Sequence, residues 1–272
     1  MINRRQFLKI AGISSIAGLG GISVSNVLKR NWLEASQVEP DPKAIVGKRW
    51  GMVVDMRRFN TEEDYRVVMD ACHRVHNVPD IGNPKQEIKW IWKETYEHAF
   101  PSQEFENPYI EERLKEKPFI VLCNHCDNPP CVRVCPTKAT FKRKSDGIVM
   151  MDMHRCIGCR FCMAGCPFGA RSFNWRDPRP FIKKENVEFP TRTKGVVEKC
   201  TFCYERLATG LIPACVDASR EAAKKAGKEP GLIFGDLKDP NSEIREVLSS
   251  NFTIRRKPEL GTMPSVFYII GG

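Results

Sequence analysis

Residues 156–167 read CIGCRFCMAGCP, which places cysteines at positions 156, 159, 162 and 166 and a proline at position 167. Three thiolates in one tight loop can reach a single metal cluster, and the spacing C-x2-C-x2-C-x3-C-P is typical of [4Fe–4S] binding. In this pattern the fourth cysteine lies on the helix that follows and ligates a neighbouring cluster, while the proline ends that helix. The stretch therefore predicts two clusters side by side.

A second run of four cysteines lies upstream and has nearly the same pattern. It reads Cys123-x2-Cys126-x4-Cys131-x3-Cys135 and is also followed by a proline. Exchange of the fourth cysteine between the two runs predicts two sets of ligands. The first set is Cys123, Cys126, Cys131 and Cys166, and the second set is Cys156, Cys159, Cys162 and Cys135.

The four remaining cysteines fit one further cluster. One run has Ser219 in place of its fourth cysteine and contains Cys200, Cys203 and Cys215. Cys72 looks like a fourth cysteine without its triplet, whose positions are occupied by Glu62, Tyr65 and Val68. All four missing ligands belong to one cluster, which predicts that this cluster was lost as a unit. The twelve cysteines then hold three [4Fe–4S] clusters, and the third set is Cys72, Cys200, Cys203 and Cys215.

Other uses of twelve cysteines fit these spacings less well. Six disulfides would be usual for an exported protein, and Cys200 with Cys203 alone would suit a zinc ribbon. Triplets whose third cysteine follows after three or five residues fit tetrahedral zinc poorly, whereas the two Cys-Pro endings fit cluster loops. No C-x-x-C-H occurs in the sequence, which disfavours covalently attached haem.

Composition limits the class of protein. The 272 residues include 43 Lys and Arg against 33 Asp and Glu, a formal charge of +10, and 42% of them are hydrophobic. These values disfavour intrinsic disorder and a polytopic membrane protein, and they allow one large or two small domains.

The N-terminus predicts export. Arg4-Arg5 followed by Phe7-Leu8 is typical of a twin-arginine signal, and residues 10–28 carry no charge. Such a run spans about 28 Å as a helix, so the segment 1–30 is predicted to be a signal that is either removed or kept as an anchor. Because this route carries folded proteins, clusters can be inserted beforehand. The predicted location is the extracytoplasmic face of the cell membrane, where nucleic acid is not an expected partner.

Hydrophobic alternation and turn residues predict short elements. Strands are expected at 48–58, 86–92, 118–122, 171–175, 196–199, 232–234 and 266–270. Helices are expected at 62–76, which carries Cys72, and at 242–249. The strongest turn signal, Ser145-Asp146-Gly147, predicts a hairpin of 139–144 with 148–151.

The expected fold class is α+β, with tandem bacterial-ferredoxin-like units related by a pseudo-two-fold axis and with loop-rich extensions. Because Cys72 must meet the run from Cys200 to Cys215, the outer unit is predicted to be discontinuous. The domain plan is 46–117 plus 190–240 as the outer unit, 118–176 as the central two-cluster unit, and 241–272 as a C-terminal extension.

A few residues outside the ligand sets are candidates for supporting roles. His125 and His154 stand close to ligands and are expected either to donate a hydrogen bond towards a cluster sulfur or to be plain loop histidines. His73 and His76 are expected to cap or pack. The basic runs at 142–144, 176–179 and 255–257 are expected to be solvated loops, with docking of an acidic partner or an anionic surface as the alternative.

Several motifs together resemble a known family. They are Arg49-Trp50-Gly51-Met52-Val53, the segment 71–79 with its His-x-x-His-Asn-Val-Pro, and the stretches 122–140, 154–180 and 189–207. They are similar to exported electron-transfer subunits related to the DMSO reductase iron–sulfur subunit. The chain resembles more closely the DsrO/HmeA-type subunit of the Dsr (MKJOP) and Hme complexes of sulfate-reducing organisms. The absent fourth cluster departs from a four-cluster pattern in the wider family.

This resemblance implies an electron conduit rather than a catalyst, in a membrane complex that oxidises menaquinol. It implies as partners an NrfD-type integral membrane quinol subunit, a multihaem cytochrome c, and a membrane cytochrome b with a heterodisulfide-reductase-like subunit. Consistent with a conduit, the sequence has no nucleotide-binding glycine motif and no distinctive nucleophile–base arrangement. The alternatives are the iron–sulfur subunit of a molybdopterin oxidoreductase and, in a different class, a zinc-stabilised interaction module.

Overall fold

A computed structural model describes residues 41–102, 109–110 and 112–271 of the chain. The predicted export segment 1–30, with its uncharged run at 10–28, lies outside these residues. The described residues belong to one unit that starts at Asp41. In that part of the chain no helix is both long and apolar enough to cross a bilayer.

Short strands and helices alternate along the chain, as expected. The strands are β1 (Trp50–Asp55), β2 (Ile91–Glu94), β3 (Phe119–Leu122), β4 (Thr140–Lys142), β5 (Val149–Met151), β6 (Ser172–Phe173), β7 (Val197–Glu198), β8 (Leu232–Asp236) and β9 (Val266–Ile269). The α-helices with described bounds are α1 (Glu62–Val75), α2 (Tyr96–Ala99), α3 (Glu112–Glu116), α4 (Pro130–Arg133), α5 (Phe161–Ala164), α6 (Tyr204–Leu207), α7 (Ala214–Ala226) and α8 (Glu243–Ser250). This mixture confirms the α+β class, while the tandem pseudo-two-fold arrangement and the domain boundaries stay predictions.

The largest described sheet has β1 in the middle. Strand β8 pairs with it in antiparallel fashion, with Met52 opposite Phe234, and β9 pairs with it in parallel, with Met52 opposite Val266. All six residues of β1 are buried, as expected for a strand with neighbours on both sides. The C-terminal segment therefore forms part of the central sheet.

Helices α1 and α7 carry Cys72 and Cys215 and pack on each other. Thr61 and Asp64 form a capping box that fixes the start of α1. Gly227 ends α7 in the left-handed conformation, with φ of +62°. The buried face of α1 includes Tyr65, Val68 and Cys72, so the helix presents its cysteine to the interior.

The described residues also form three two-stranded sheets, made by β2 with β3, β4 with β5, and β6 with β7. The hairpin of β4 and β5 confirms the predicted turn, and Gly147 has φ of +75° there. The strand predicted over 86–92 is displaced towards the C-terminus. Asn83 caps a 3-10 helix at Pro84–Gln86, and β2 begins only at Ile91, where β3 supplies its partner Leu122.

Candidate iron–sulfur centres

The cysteines of the first set line one internal pocket. Strand β3 is buried throughout and leads directly into Cys123, α4 contains Cys131, and Cys166 follows α5. The pocket is bounded by Cys123, Cys126, Cys131 and Cys166 and also by Asn124, Phe168 and Arg171. Four sulfur-bearing side chains from three separate stretches therefore face one space, in the combination that exchange of the fourth cysteine predicts.

The cysteines of the second set line another pocket, nearer the surface. Its wall contains Cys135, Cys156, Cys159 and Cys162, together with Thr137 and Met151. Cys135, Cys156 and Cys159 are partly exposed, while Cys162 is buried. The backbone N–H of Thr140 points at Cys135 Sγ, with 3.5 Å between the two atoms.

The cysteines of the third set lie close together and are all buried. Burial raises the pKa of the Cys72 thiol well above its ordinary value, and the nearby charges of Cys215, Cys200 and Cys203 raise it further. The N–H of Phe202 lies 3.5 Å from Cys200 Sγ, and that of Ala214 lies 3.4 Å from Cys203 Sγ. The structure thus brings Cys72 to the run that begins more than a hundred residues later.

The three sets are neighbours in a definite order. Arg171 lines the first-set pocket and donates to Cys131 Sγ at 3.1 Å. Burial raises the pKa of Cys162 in the second set, and the charge of Arg171 opposes that rise. On the other side, His125 stacks on Phe202 with 3.8 Å between ring centroids, which joins a first-set loop to a third-set loop. The first set therefore lies between the second and the third.

The donor groups fit [4Fe–4S] clusters. All twelve cysteines are free and converge in fours rather than in pairs. Burial and the neighbouring thiols raise the pKa of Cys126 to about 12, so an ionised set requires a positively charged occupant such as iron. The buried side-chain amide of Asn124, beside the first set, has no hydrogen-bond partner in the part of the chain that the structure describes. Thiolate ligands and N–H groups directed at sulfur are the features that such a cluster requires.

The histidines near the cysteine sets differ in their surroundings. His125 accepts a hydrogen bond at Nδ1 from the N–H of Val149, with 3.1 Å between the nitrogens. Its donation towards a cluster sulfur stays a prediction. His154 is exposed. His76 packs as expected, stacked on Trp90 with 4.4 Å between centroids.

The side chains of His76, Cys203 and Glu205 lie close enough to suggest a separate metal site. However, His76 Nδ1 lies 2.8 Å from the carbonyl oxygen of Cys72, and Nε2 lies 2.8 Å from Glu205 Oε1. Both ring nitrogens are therefore used in hydrogen bonds. We interpret His76 as a residue that positions the third set, not as a ligand.

A buried ion pair beside the third set was not foreseen from the sequence. Arg192 Nη2 lies 2.6 Å from Glu198 Oε2, and both side chains are at most 1% exposed. Arg192 also donates to the carbonyl oxygens of His76 and Asn77, at the end of the helix that carries Cys72. Glu198 lies two residues before Cys200. The pair therefore ties the two chain segments that supply the third set.

The positions predicted for the ligands of a fourth cluster hold other side chains. Val68 and Ser219 line one small pocket, whose described wall contains no cysteine. Helix α1 is regular from Glu62, so a triplet at 62, 65 and 68 would lie on helical turns rather than in a loop. Tyr65 and Val68 are buried, and the Tyr65 hydroxyl donates to the carbonyl oxygen of Pro118 at 2.9 Å. Ser219 Oγ accepts hydrogen bonds from the N–H groups of Gly231 and Leu232, at 3.0 and 3.2 Å. A hydroxyl thus stands where a fourth cysteine of the run is expected.

Replacing Ser219 by alanine is expected to destabilise the protein by about 1–3 kcal/mol, because two buried N–H groups lose their acceptor. The melting temperature of the loaded protein should fall, while iron content stays the same. Ser249→Ala is the matched control, since the Ser249 hydroxyl donates to a carbonyl oxygen within exposed α8. Loss of iron in the Ser219 variant would contradict a purely structural role.

The fold and these cysteine groups define an iron–sulfur protein with a ferredoxin-like core, and residues 117–183 match the family model of the 4Fe-4S dicluster domain. The chain is 40% identical to the Hdr-like menaquinol oxidoreductase iron–sulfur subunit 1 of Archaeoglobus fulgidus, over the full length of both. It is 33% identical to the iron–sulfur cluster-binding subunit of menaquinone reductase from Nitratidesulfovibrio vulgaris, over 81% of this chain and 88% of that one. It is 40% identical to the arsenate respiratory reductase iron–sulfur subunit ArrB of a Shewanella species, over 81% and 96%. The chain belongs to this family of iron–sulfur subunits of menaquinol-linked and related respiratory oxidoreductases, which confirms the resemblance.

Proposed function

We propose that the protein is a non-catalytic electron-transfer subunit of a membrane-bound, menaquinol-linked oxidoreductase complex and that it binds three [4Fe–4S] clusters. The ligands would be the first, second and third cysteine sets as defined above. The observation that carries this proposal is the convergence of twelve free cysteines on three adjacent sites. When bound, each cluster supplies a one-electron carrier.

The surroundings of the first and third sets suit carriers that must be kept from water. First-set residues Cys123, Cys126 and Cys131 are at most 8% exposed, and the third set is equally buried. The aromatic side chains of Phe168, Phe202 and Trp90 are almost fully buried in the same core. Such a low-dielectric interior fixes the ligands and limits reorganisation around them.

The surroundings of the second set support its role as the site of electron exchange with a partner protein. Beside its partly exposed cysteines lie Ile157 and Phe161, which are 67% and 59% exposed. Trp175 is also exposed, and the Arg160 guanidinium lies 4.8 Å from its ring centroid. Exposed apolar side chains with an arginine and a tryptophan are the composition usual at protein interfaces.

We further propose the cellular setting. The partners would be an NrfD-type membrane quinol subunit, a multihaem cytochrome c, and a membrane cytochrome b with a heterodisulfide-reductase-like subunit, in sulfate metabolism. The location would be the extracytoplasmic face of the membrane, reached by the twin-arginine route. Full-length identity to the Archaeoglobus menaquinol oxidoreductase subunit supports this setting. The identity to the arsenate reductase subunit supports the second candidate, a subunit that serves a molybdopterin enzyme.

Metal analysis of the anaerobically purified protein tests the cofactor proposal. Three clusters require about twelve iron and twelve sulfide per chain and give a brown protein. Colourless protein loaded with zinc would overturn the proposal and favour the interaction module. The partners are tested by purification from native membranes, since a quinol subunit and a pterin enzyme distinguish the two settings.

A further inference from the structure

Three cations buried in the core lack a carboxylate partner. Arg171, Lys199 and Arg256 are 4%, 0% and 2% exposed. Among the residues that the structure describes, none of the three has an Asp or Glu oxygen within the 4.0 Å of an ion pair. Arg192, which is similarly buried, does have such a partner in Glu198. A buried cation without an anion is costly, so the missing negative charge requires an explanation.

Arg171 is directed at the first set. Its Nη2 donates to Cys131 Sγ at 3.1 Å, while Nη1 donates to Thr140 Oγ1 at 2.9 Å. Burial lowers the pKa of this guanidinium, but the charges of Cys131, Cys162 and Cys123 raise it more, so that the net shift is upward. Two of those three thiols belong to the first set.

Lys199 approaches the first set from the third-set side. Its Nζ donates to the carbonyl oxygens of Val149, which lines the first-set pocket, and of Cys200, at 2.7 Å from the latter. Burial lowers the pKa of this ammonium group, and the charge of Arg171 adds to that effect. The charges of Cys123, Cys200 and Cys131 offset it only in part, so that the net shift is downward. Lys199 therefore lies between the first and third sets.

Arg256 approaches the first set from the C-terminal segment. Its guanidinium lies 5.6 Å from the ring centroid of Phe168, which lines the first-set pocket two residues after Cys166. Nε donates to the carbonyl oxygen of Ala99 at 3.0 Å, and Nη1 has no partner within the described ranges. All three unpaired cations thus lie around the same four cysteines.

We infer that Arg171, Lys199 and Arg256 are positioning residues that raise the reduction potential of a cluster at the first set above the potentials at the second and third sets. A cluster with four thiolates is negatively charged and becomes more so on reduction, and a nearby buried cation stabilises the more negative state. The second set has only Arg171 from this group beside it, and the third set has only Lys199.

This inference rests on the proposed function and specifies how the reduction potential changes along the three sites. Because the first set lies between the other two, the most oxidising site would be in the middle. An electron that enters at the second or the third set would be held at the first set. It would leave by a slower step, because transfer to a site of lower potential is thermodynamically unfavourable. The middle position would then act as a one-electron store between two partners.

An EPR-monitored redox titration of the loaded protein tests the inference. Its signals are assigned with three ligand variants, one for each set: Cys126→Ser, Cys159→Ser and Cys203→Ser. We expect the first-set signal to have the highest potential. The equilibrium constant for one-electron reduction of the first-set cluster should fall about tenfold in each of three variants, which corresponds to a potential lower by ~59 mV. These variants are Arg171→Gln, Lys199→Gln and Arg256→Gln. Arg171→Lys keeps the charge and should restore most of that potential.

Arg155→Gln is the matched control, because Arg155 adjoins Cys156 but is exposed and paired with Asp152. It should leave the potentials nearly unchanged, since water screens its charge. Another order of potentials in the unsubstituted protein would overturn the inference even if a variant failed to assemble. Equal shifts in Arg171→Gln and Arg171→Lys would also overturn it. Absence of three EPR signals would instead reject the proposed function.

Discussion

Replacing Cys72 by alanine is expected to yield a folded protein with two clusters instead of three. Cys72 is the one cysteine of its set that comes from α1, and it is buried against Cys200, Cys203 and Cys215. Three thiolates and a methyl group cannot complete four-cysteine coordination, so the third site should be lost. The first and second sets exchange ligands only with each other and should stay loaded. Iron and sulfide should fall from about twelve to about eight per chain.

The control for this substitution is Val68→Ala, one helical turn earlier on the same buried face of α1. It removes two buried methyl groups and should cost about 1–3 kcal/mol, but all three clusters should remain. EPR of the dithionite-reduced proteins distinguishes which signal disappears. If Cys72→Ala abolished the signals of the first or second set and kept the third, the assignment of ligands would be wrong.

Breaking the Arg192–Glu198 pair is expected to have the largest effect on stability. Arg192→Leu leaves the Glu198 carboxylate in a fully buried site, where the remaining donors among the described residues are Trp90 Nε1 at 3.0 Å and Asn174 Nδ2 at 2.5 Å. Removing one partner of a buried pair typically costs about 3–5 kcal/mol, because the remaining charge is uncompensated. Urea unfolding followed by circular dichroism measures this cost in the cluster-free protein, where metal loss does not complicate the transition.

The double variant Arg192→Leu with Glu198→Leu provides the control. It removes both charges and should recover part of the loss, but not all of it, because Arg192 also donates to the carbonyl oxygens of His76 and Asn77. In the loaded single variant, the third cluster should be lost first, since the pair joins the segments that carry Cys72 and Cys200. A cost below about 1 kcal/mol would show that the pair contributes no more than a surface ion pair.

The grouping of the cysteines could be predicted from the sequence because cluster loops impose short, fixed spacings. The run from Cys156 to Cys166 determines its local structure, and exchange of the fourth cysteine predicts the long-range partner. The same logic placed Cys72 beside Cys200 without any intervening pattern. The hairpin of β4 and β5 was also predictable, because its turn requires Gly147 at positive φ.

The buried charged side chains around the cysteine sets could not be predicted, because their roles depend on contacts between distant segments. Arg256 belongs to a basic run that was expected to be a solvated loop, and that expectation is wrong for this residue, which is buried against Phe168. Lys199 and Arg192 have no periodic signature that separates them from surface residues. The strand predicted over 86–92 was misplaced because pairing with β3 decides where β2 begins, and local alternation does not encode that partner.

The parallel pairing of β1 with β9 determines when, during synthesis, the sheet around β1 can be completed. Strand β1 can pair with β9 only after residues 266–269 have left the ribosome, about 200 residues after residues 50–55. At about 5–20 residues per second this delay is on the order of 10–40 s. Throughout that interval one edge of β1 has no partner and the carbonyl oxygen of Ser265 is not yet available to Met52. A chain that lacks residues 266–269 is therefore distinguishable by its exposed strand edge from one that includes them.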